Sequence, residues 1–210
     1  MTKTAAQIFT ENPVDFMQNN FVTPGDGTSM AHRPGLLNFT LTPQPGNAVT
    51  PERPGALLKK YAVHPTAKTG ADVFKAYWCP YVEDSCQSIT VGRDGNFMFT
   101  AVMNGCSFGV GSANGSGGRM VAHINLKSQS NMAGKQNNIL KGMRLGEALV
   151  DPGIYMAGDK PVHVTTFGVR DENQDDWRFF YQLSTIEQLP GATHNSTIAR
   201  VTVIGVMPIL

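Results

Sequence analysis

A chain of 210 residues, 41% hydrophobic and 16% charged, holds enough apolar material for one substantial core. No Pro/Ser linker or shift in composition divides it, so we expect a single domain over residues 1–210. Seventeen basic against sixteen acidic residues leave a formal charge of +1, which excludes the whole-face charge excess that draws nucleic acid or anionic lipid. No segment reaches the ~20 consecutive apolar residues of a membrane-spanning helix.

Residues 1–11 carry helix-forming spacing, with Ala5, Ile8 and Phe9 on one side. The following stretch to about residue 50 is dense in Pro, Gly, Asn and Thr and reads as a loop-rich region packed on the rest. Short strands are expected over residues 56–63, 73–78, 88–92 and 97–103, the last two joined by a hairpin turn at Arg93-Asp94-Gly95-Asn96. The glycine-rich run 109–118 (GVGSANGSGG) reads either as a bare connector or as a loop whose amides are shaped for a neighbouring site. Residues 119–126 then form another strand. Between 128 and 149 the apolar positions Met132, Ile139, Leu140, Met143, Leu145 and Leu149 recur at helical spacing, interrupted by glycines, which predicts one or two short helices. Strands over 162–169, 177–183 and 198–206 close the chain, the first two joined by the acidic turn 171–176. The sum is an α/β (α+β) fold: a compact sandwich of mixed or antiparallel sheets with a few outer helices and long loops.

Three cysteines cannot all pair with one another, so at least one thiol is free. The first residues lack the basic and then apolar layout of a secretory signal, so the chain is expected in a reducing compartment or delivered by a specialised bacterial injection system. Cys79 lies among Tyr77, Trp78, Pro80 and Tyr81, where burial would raise its pKa and silence it. Cys86 follows Glu83 and Asp84, whose charge disfavours a thiolate. A disulfide between these two is conceivable in an oxidising location, whereas zinc would need two further ligands that the neighbouring sequence does not offer. Cys106 differs: it follows Gly105 at the end of an apolar strand, precedes Ser107 and a glycine-rich turn, and has no carboxylate nearby in sequence.

A thiolate attacks carbonyl carbon, and an adjacent imidazole both favours that form and returns the proton to the leaving group. Of the five histidines, His32, His64, His123, His163 and His194, only His123 lies on a strand that would neighbour the one before Cys106. If residues 97–102 and 119–126 pair as a hairpin, the two side chains meet. His163 is the reserve base, and His194 reads as a loop residue. A structural role for His123 in the core is the competing interpretation. Thr100 precedes Cys106 by six positions, an even separation that puts both on one face of a regular strand, where its hydroxyl would orient the imidazole. A threonine that simply favours strand is the alternative.

The combination Phe99-Thr100, Asn104-Gly105-Cys106 and His123-Ile124-Asn125 resembles the catalytic segment of the glutamine-deamidating toxins, a family that includes the Burkholderia lethal factor and the cytotoxic necrotizing factors. The likeness spans about thirty of the 210 residues. It departs in two places: Asn104 stands where the family has serine, and the sixteen residues between Cys106 and His123 make a longer loop. The resemblance implies Cys106 as nucleophile, His123 as base and Thr100 as orienting hydroxyl. Asn104, Gly105 and Ser107 would form the nucleophile loop, and the Cys106 N–H would bind the oxyanion. It implies conversion of glutamine to glutamate on a host protein, such as a small GTPase or a translation-initiation helicase, with no metal or organic cofactor. The chain would then reside in a bacterial cytoplasm before delivery and in the host cytosol after it. Two other classes compete: a Cys-His peptidase or acyl transferase, and a non-enzymatic binding or structural protein with Cys106 in its core.

Overall fold

The structure, a computed structural model, describes residues 2–25, 33–156, 162–188 and 199–209; His32 and His194 lie outside them. Among the described residues the chain forms four helices and twelve strands in two sheets. No helix among them is long and apolar enough to cross a membrane.

The N-terminal region is built rather than loop-rich. Helix α1 (Ala5–Glu11) begins with a reciprocal cap in which the Gln7 N–H donates to Thr4 Oγ1 and the Thr4 N–H to Gln7 Oε1. Asn12 ends α1 and caps α2 (Pro13–Asn19), whose first residue is the proline that tolerates a first helical position. Strand β1 (Asn20–Pro24) follows directly, then β2 (Gly35–Val49), β3 (Leu57–Pro65), β4 (Phe74–Cys79), β5 (Cys86–Val91) and β6 (Phe97–Thr100). The Pro and Gly content that suggested loops is accommodated in a fifteen-residue strand with a register irregularity between Gln44 and Asn47.

The larger sheet runs β1-β3-β2-β12-β11-β10-β6-β4, with β10 (Val162–Asp171), β11 (Asp176–Gln188) and β12 (Ala199–Pro208) at its centre. Because β2 pairs with β4 at its start and with β12 at its end, six of these strands form a closed circuit. Inside it sit Phe39, Phe74, Trp78, Phe97, Phe99 and Phe167, with Phe9 and Phe16 of α1 and α2 packed onto them. Gln182 fastens this plug: its Oε1 accepts from the Val22 N–H at 3.0 Å, and its Nε2 donates to the Met17 and Asn20 carbonyls.

The smaller sheet, β5-β8-β7-β9, joins β7 (Ser107–Ala113), β8 (Arg119–Ile124) and β9 (Ala148–Val150). It lies against the outer face of the larger one, with Cys79, Met98, Met103, Phe108, Val110, Val121, Val164, Trp177 and Phe179 buried between them. Arg119 ties the two sheets at one end through a paired contact with the Asp176 carboxylate, at 2.8 and 2.7 Å.

Two expectations change here. Residues 93–96 do not close a hairpin, because β5 and β6 belong to different sheets and the turn carries the chain from one to the other. Nor is 109–118 a single loop: its first half is β7, and the turn itself, held by Asn114 Oδ1 accepting from the Ser116 and Gly118 N–H groups, lies at the end of the hairpin far from Cys106. The glycines of β7 serve packing. On its outer face helix α3 (Met132–Gly142) buries Leu140 and its following turn buries Leu145 against Ala122 and Ile124. A Cβ on Gly109 would stand 2.6 Å from the Leu145 carbonyl oxygen and 3.1 Å from a Leu140 methyl. Gly109→Val is expected to cost about 1–3 kcal/mol by displacing α3, whereas Gly115→Ala, with nothing within 4 Å of the added carbon, should stay within about 0.5 kcal/mol; urea unfolding of both variants measures the contrast.

Candidate active site

The passage from β6 to β7 builds the site. The chain leaves the larger sheet after Thr100, makes a last pair of hydrogen bonds to it between Met103 and Val164 at 2.8 and 3.0 Å, and enters the smaller sheet at Ser107. Gly105 takes a φ of +93° in this turn, a conformation that side chains rarely adopt. Its carbonyl accepts from Gln136 Nε2 of α3 at 3.0 Å, and its N–H donates to Tyr155 Oη at 2.9 Å. That phenol donates in turn to the Cys106 carbonyl at 2.6 Å. Tyr155 is presented by the short helix α4 (Pro152–Tyr155), capped by Asp151. Two buried side chains from distant parts of the chain therefore fix the backbone on either side of the nucleophile candidate.

Strand pairing puts Cys106 and His123 on one face of the smaller sheet by a different route from the one expected, with no hydrogen bond between the sulfur and Nε2. The partner of β8 is β7, which follows Cys106, and not the strand that precedes it. In this hairpin Ser107 opposes Ile124 and Phe108 opposes His123, so Cys106 lies across from Asn125. Side chains at alternate positions share a face, which puts Cys106, Phe108, His123 and Asn125 all on the inner side of the smaller sheet. Cys106 and His123 are thus diagonal neighbours.

Thr100 arrives from the opposing sheet. Strand parity with Cys106 has no bearing on this, since β6 ends at Thr100 and the two residues lie in different sheets. Its hydroxyl donates to the Cys79 carbonyl at 2.8 Å and lies 2.6 Å from His123 Nδ1. With its one hydrogen committed to Cys79, Oγ1 acts as acceptor, which assigns the proton of His123 to Nδ1. Nε2 is left as a lone pair, buried and without a hydrogen-bond partner among the described residues. Burial depresses the imidazole to about 3, so it is neutral at physiological pH.

The sulfur of Cys106, on a residue only 3% exposed, accepts from Asn125 Nδ2 at 3.2 Å. Burial raises its pKa, while the Asn125 carboxamide and the Asn104 backbone N–H pull it down. The resting pair is therefore thiol and imidazole rather than an ion pair. Such a site makes its nucleophile only when the proton moves to Nε2 during attack. Tyr81 forms one wall, its ring 5.5 Å from that of His123 and its hydroxyl raised in pKa by partial burial and then by the neighbouring Cys106.

The remaining sequence candidates fall elsewhere. Ser107 turns to the α3 face with Ile124, because alternation sends it away from Cys106, and its hydroxyl is buried without a hydrogen-bond partner among the described residues. Asn104 contributes its backbone N–H, its side chain being exposed. His163 faces the other side of the larger sheet, in a cavity of about 250 Å³ lined also by Thr165, Ser184 and Trp78. All three cysteines are free thiols. Cys79 is fully buried and pushed up to about 12, its Sγ donating to the Gln87 carbonyl. The thiol of Cys86 is raised by burial, and not by the carboxylates before it. Asn125, Tyr81, Tyr155 and Gln136 were missed as site residues; Asn125 alone carried a signal, since it sits two positions beyond the histidine on the same face.

The depressed His123 has a consequence for stability. Unfolding returns it to an ordinary pKa near 6.5, so the unfolded chain takes up the proton first and stability is lost as pH falls below that value. His163, lowered by burial, acts in the same direction. As pH falls from 6.5 towards 5, we expect the wild-type unfolding free energy to fall with a slope that exceeds that of His123→Gln by about 0.7 kcal/mol per pH unit at the start and about 1.4, the value for one whole proton, at the end; urea titrations at several pH values read the difference. Comparison with known protein families, and with curated proteins, finds no match for this chain.

Proposed function

We propose that the chain is a cysteine-dependent protein glutamine deamidase. The observation that carries this reading is the oriented imidazole: Thr100 holds His123 Nδ1 at 2.6 Å while Nε2 stays unpartnered on the face that bears Cys106. A buried nitrogen without a partner is costly in a purely structural histidine and useful in a base.

In this mechanism Nε2 takes the thiol proton as Sγ attacks Cδ of a glutamine side chain. A C–S bond forms and the carbonyl electrons move to oxygen, where the Cys106 N–H receives them. Collapse breaks the C–N bond, and the imidazolium gives its proton to the departing ammonia. Water, deprotonated by Nε2, then attacks the thioester; the C–S bond breaks, sulfur recovers the proton and glutamate remains. Thr100 keeps the ring in one tautomer throughout.

The recessed thiol favours a deamidase over a peptidase. A sulfur on a residue 3% exposed suits the tip of a reaching side chain better than an extended backbone laid along a cleft. The substrate is then a protein with a protruding glutamine, and a host protein is the class that the resemblance implies. The same burial suits a second reading, a binding or structural protein whose Cys106 is a core thiol.

The test is peptide mapping of host-cell lysate after incubation with wild type or Cys106→Ser. A Gln-to-Glu mass change dependent on Cys106 is expected. New amino termini would point to a peptidase, and identical samples would favour the core-thiol reading. On an identified substrate, His123→Gln should lower kcat about 10²–10⁴-fold. Thr100→Val should lower kcat on the order of tenfold or more while leaving KM within about twofold, because it acts on the imidazole and not on the bound glutamine.

A further inference from the structure

The imidazole is neutral and the sulfur is buried, yet the thiolate must be stabilised by something. Among the described residues the Asn125 carboxamide donates to Cys106 Sγ at 3.2 Å. We infer that Asn125 is a catalytic residue, whose Nδ2–H group stabilises the sulfur of Cys106 as its negative charge develops, beside the imidazolium that forms only as the proton moves to Nε2. The inference rests on the deamidase reading only for the identity of the reaction that the thiolate performs.

The orientation of the amide follows from its other end. Asn125 Oδ1 accepts from the Lys127 N–H at 3.2 Å and from the Asp84 N–H at 3.5 Å. Turning the amide over would set its NH₂ group against two backbone donors, so the nitrogen faces the sulfur by necessity. The register does the rest, since Ser107 and Ile124 form the last β7–β8 pair and the next residue on each side is Cys106 and Asn125, joined by the 3.2 Å bond. At 5% exposure the bond operates where water does not compete, and hydrogen bonds to ionised acceptors are the strong ones. The carboxamide also differs from a charge in one useful respect. It favours the thiolate without holding it permanently, so the sulfur can leave as a thiol when the thioester is cleaved.

Asn125→Asp and Asn125→Ser test this. Aspartate keeps an acceptor for the Lys127 and Asp84 N–H groups and has no N–H; serine keeps an acceptor for the Lys127 N–H two residues on, and its one hydrogen sits on an oxygen a bond closer to the backbone, so the amide donor 3.2 Å from the sulfur is lost in both. Thiolate ionisation is followed by ultraviolet absorbance, as the difference between each protein and the same protein carrying Cys106→Ser; this requires no reagent to reach the buried sulfur. We expect the Cys106 midpoint to rise by at least about one pH unit in the serine variant, a tenfold change in ionisation, and further in the aspartate variant, where a like charge faces the sulfur. A midpoint unchanged in both folded variants overturns the inference. The two readings fail separately: a shifted midpoint with no wild-type deamidation in lysate removes the reaction and leaves the role of Asn125 standing.

Discussion

Everything about the site depends on one crossing of the chain between sheets. From Thr100 to Ser107 the backbone passes from the larger sheet to the smaller, and the reactive groups are distributed on either side of that passage. Thr100 and the Cys79 carbonyl belong to one sheet, His123 to the other with Asn125 just past the end of its strand, and Cys106 sits where the chain arrives. The hydrogen bond between Thr100 and His123 is thus a tertiary contact across a packed interface. It is only as well placed as Phe108, Val110, Val121, Met98 and Phe179, which set the spacing between the two sheets.

That arrangement explains why the supporting residues come from so far along the chain. A turn that must leave one sheet and enter another cannot satisfy its own backbone groups by strand pairing. Gln136 and Tyr155 supply the missing partners at Gly105 and Cys106, and α3 and α4 exist in part to present them. The glycines of β7 admit α3 closely enough for this to happen. The proposed chemistry and the packing are joined at the same few positions.

The local motifs were legible in the sequence, and the partnerships between them much less so. The glycine before Cys106, the histidine in a strand and the threonine six residues upstream could be picked out because residue type and alternation are local properties. The strands β3 to β6, β8 and β10 to β12 followed from β-branched and aromatic runs, and the sandwich class followed from their number; β7 was hidden by its glycines and β9 by the helical spacing around it. What failed was pairing. The Arg93–Asn96 turn has hairpin chemistry, but the flanking strands bury opposite demands: β6 is apolar on both faces and belongs in the middle of a sheet, while β5 is half exposed. The N-terminal fifty residues failed for another reason. Pro and Gly there mark irregularities within strands and the junction of two helices, which composition cannot tell apart from loops. Tyr155 and Gln136 had no sequence signal, because their roles are set by a fold-level approach to a turn.

A site assembled across two sheets is sensitive to a kind of disorder that spares each sheet. The strands of β7 and β8 hold their own register, and so do those of the larger sheet, so secondary structure would survive a small slide of one layer over the other. The bond from His123 to Thr100 would not, and with it would go the tautomer on which the imidazole depends. The proposed chemistry would therefore report on the tightness of side-chain packing between layers: an expanded, native-like compact state would lose it while still looking folded by its backbone.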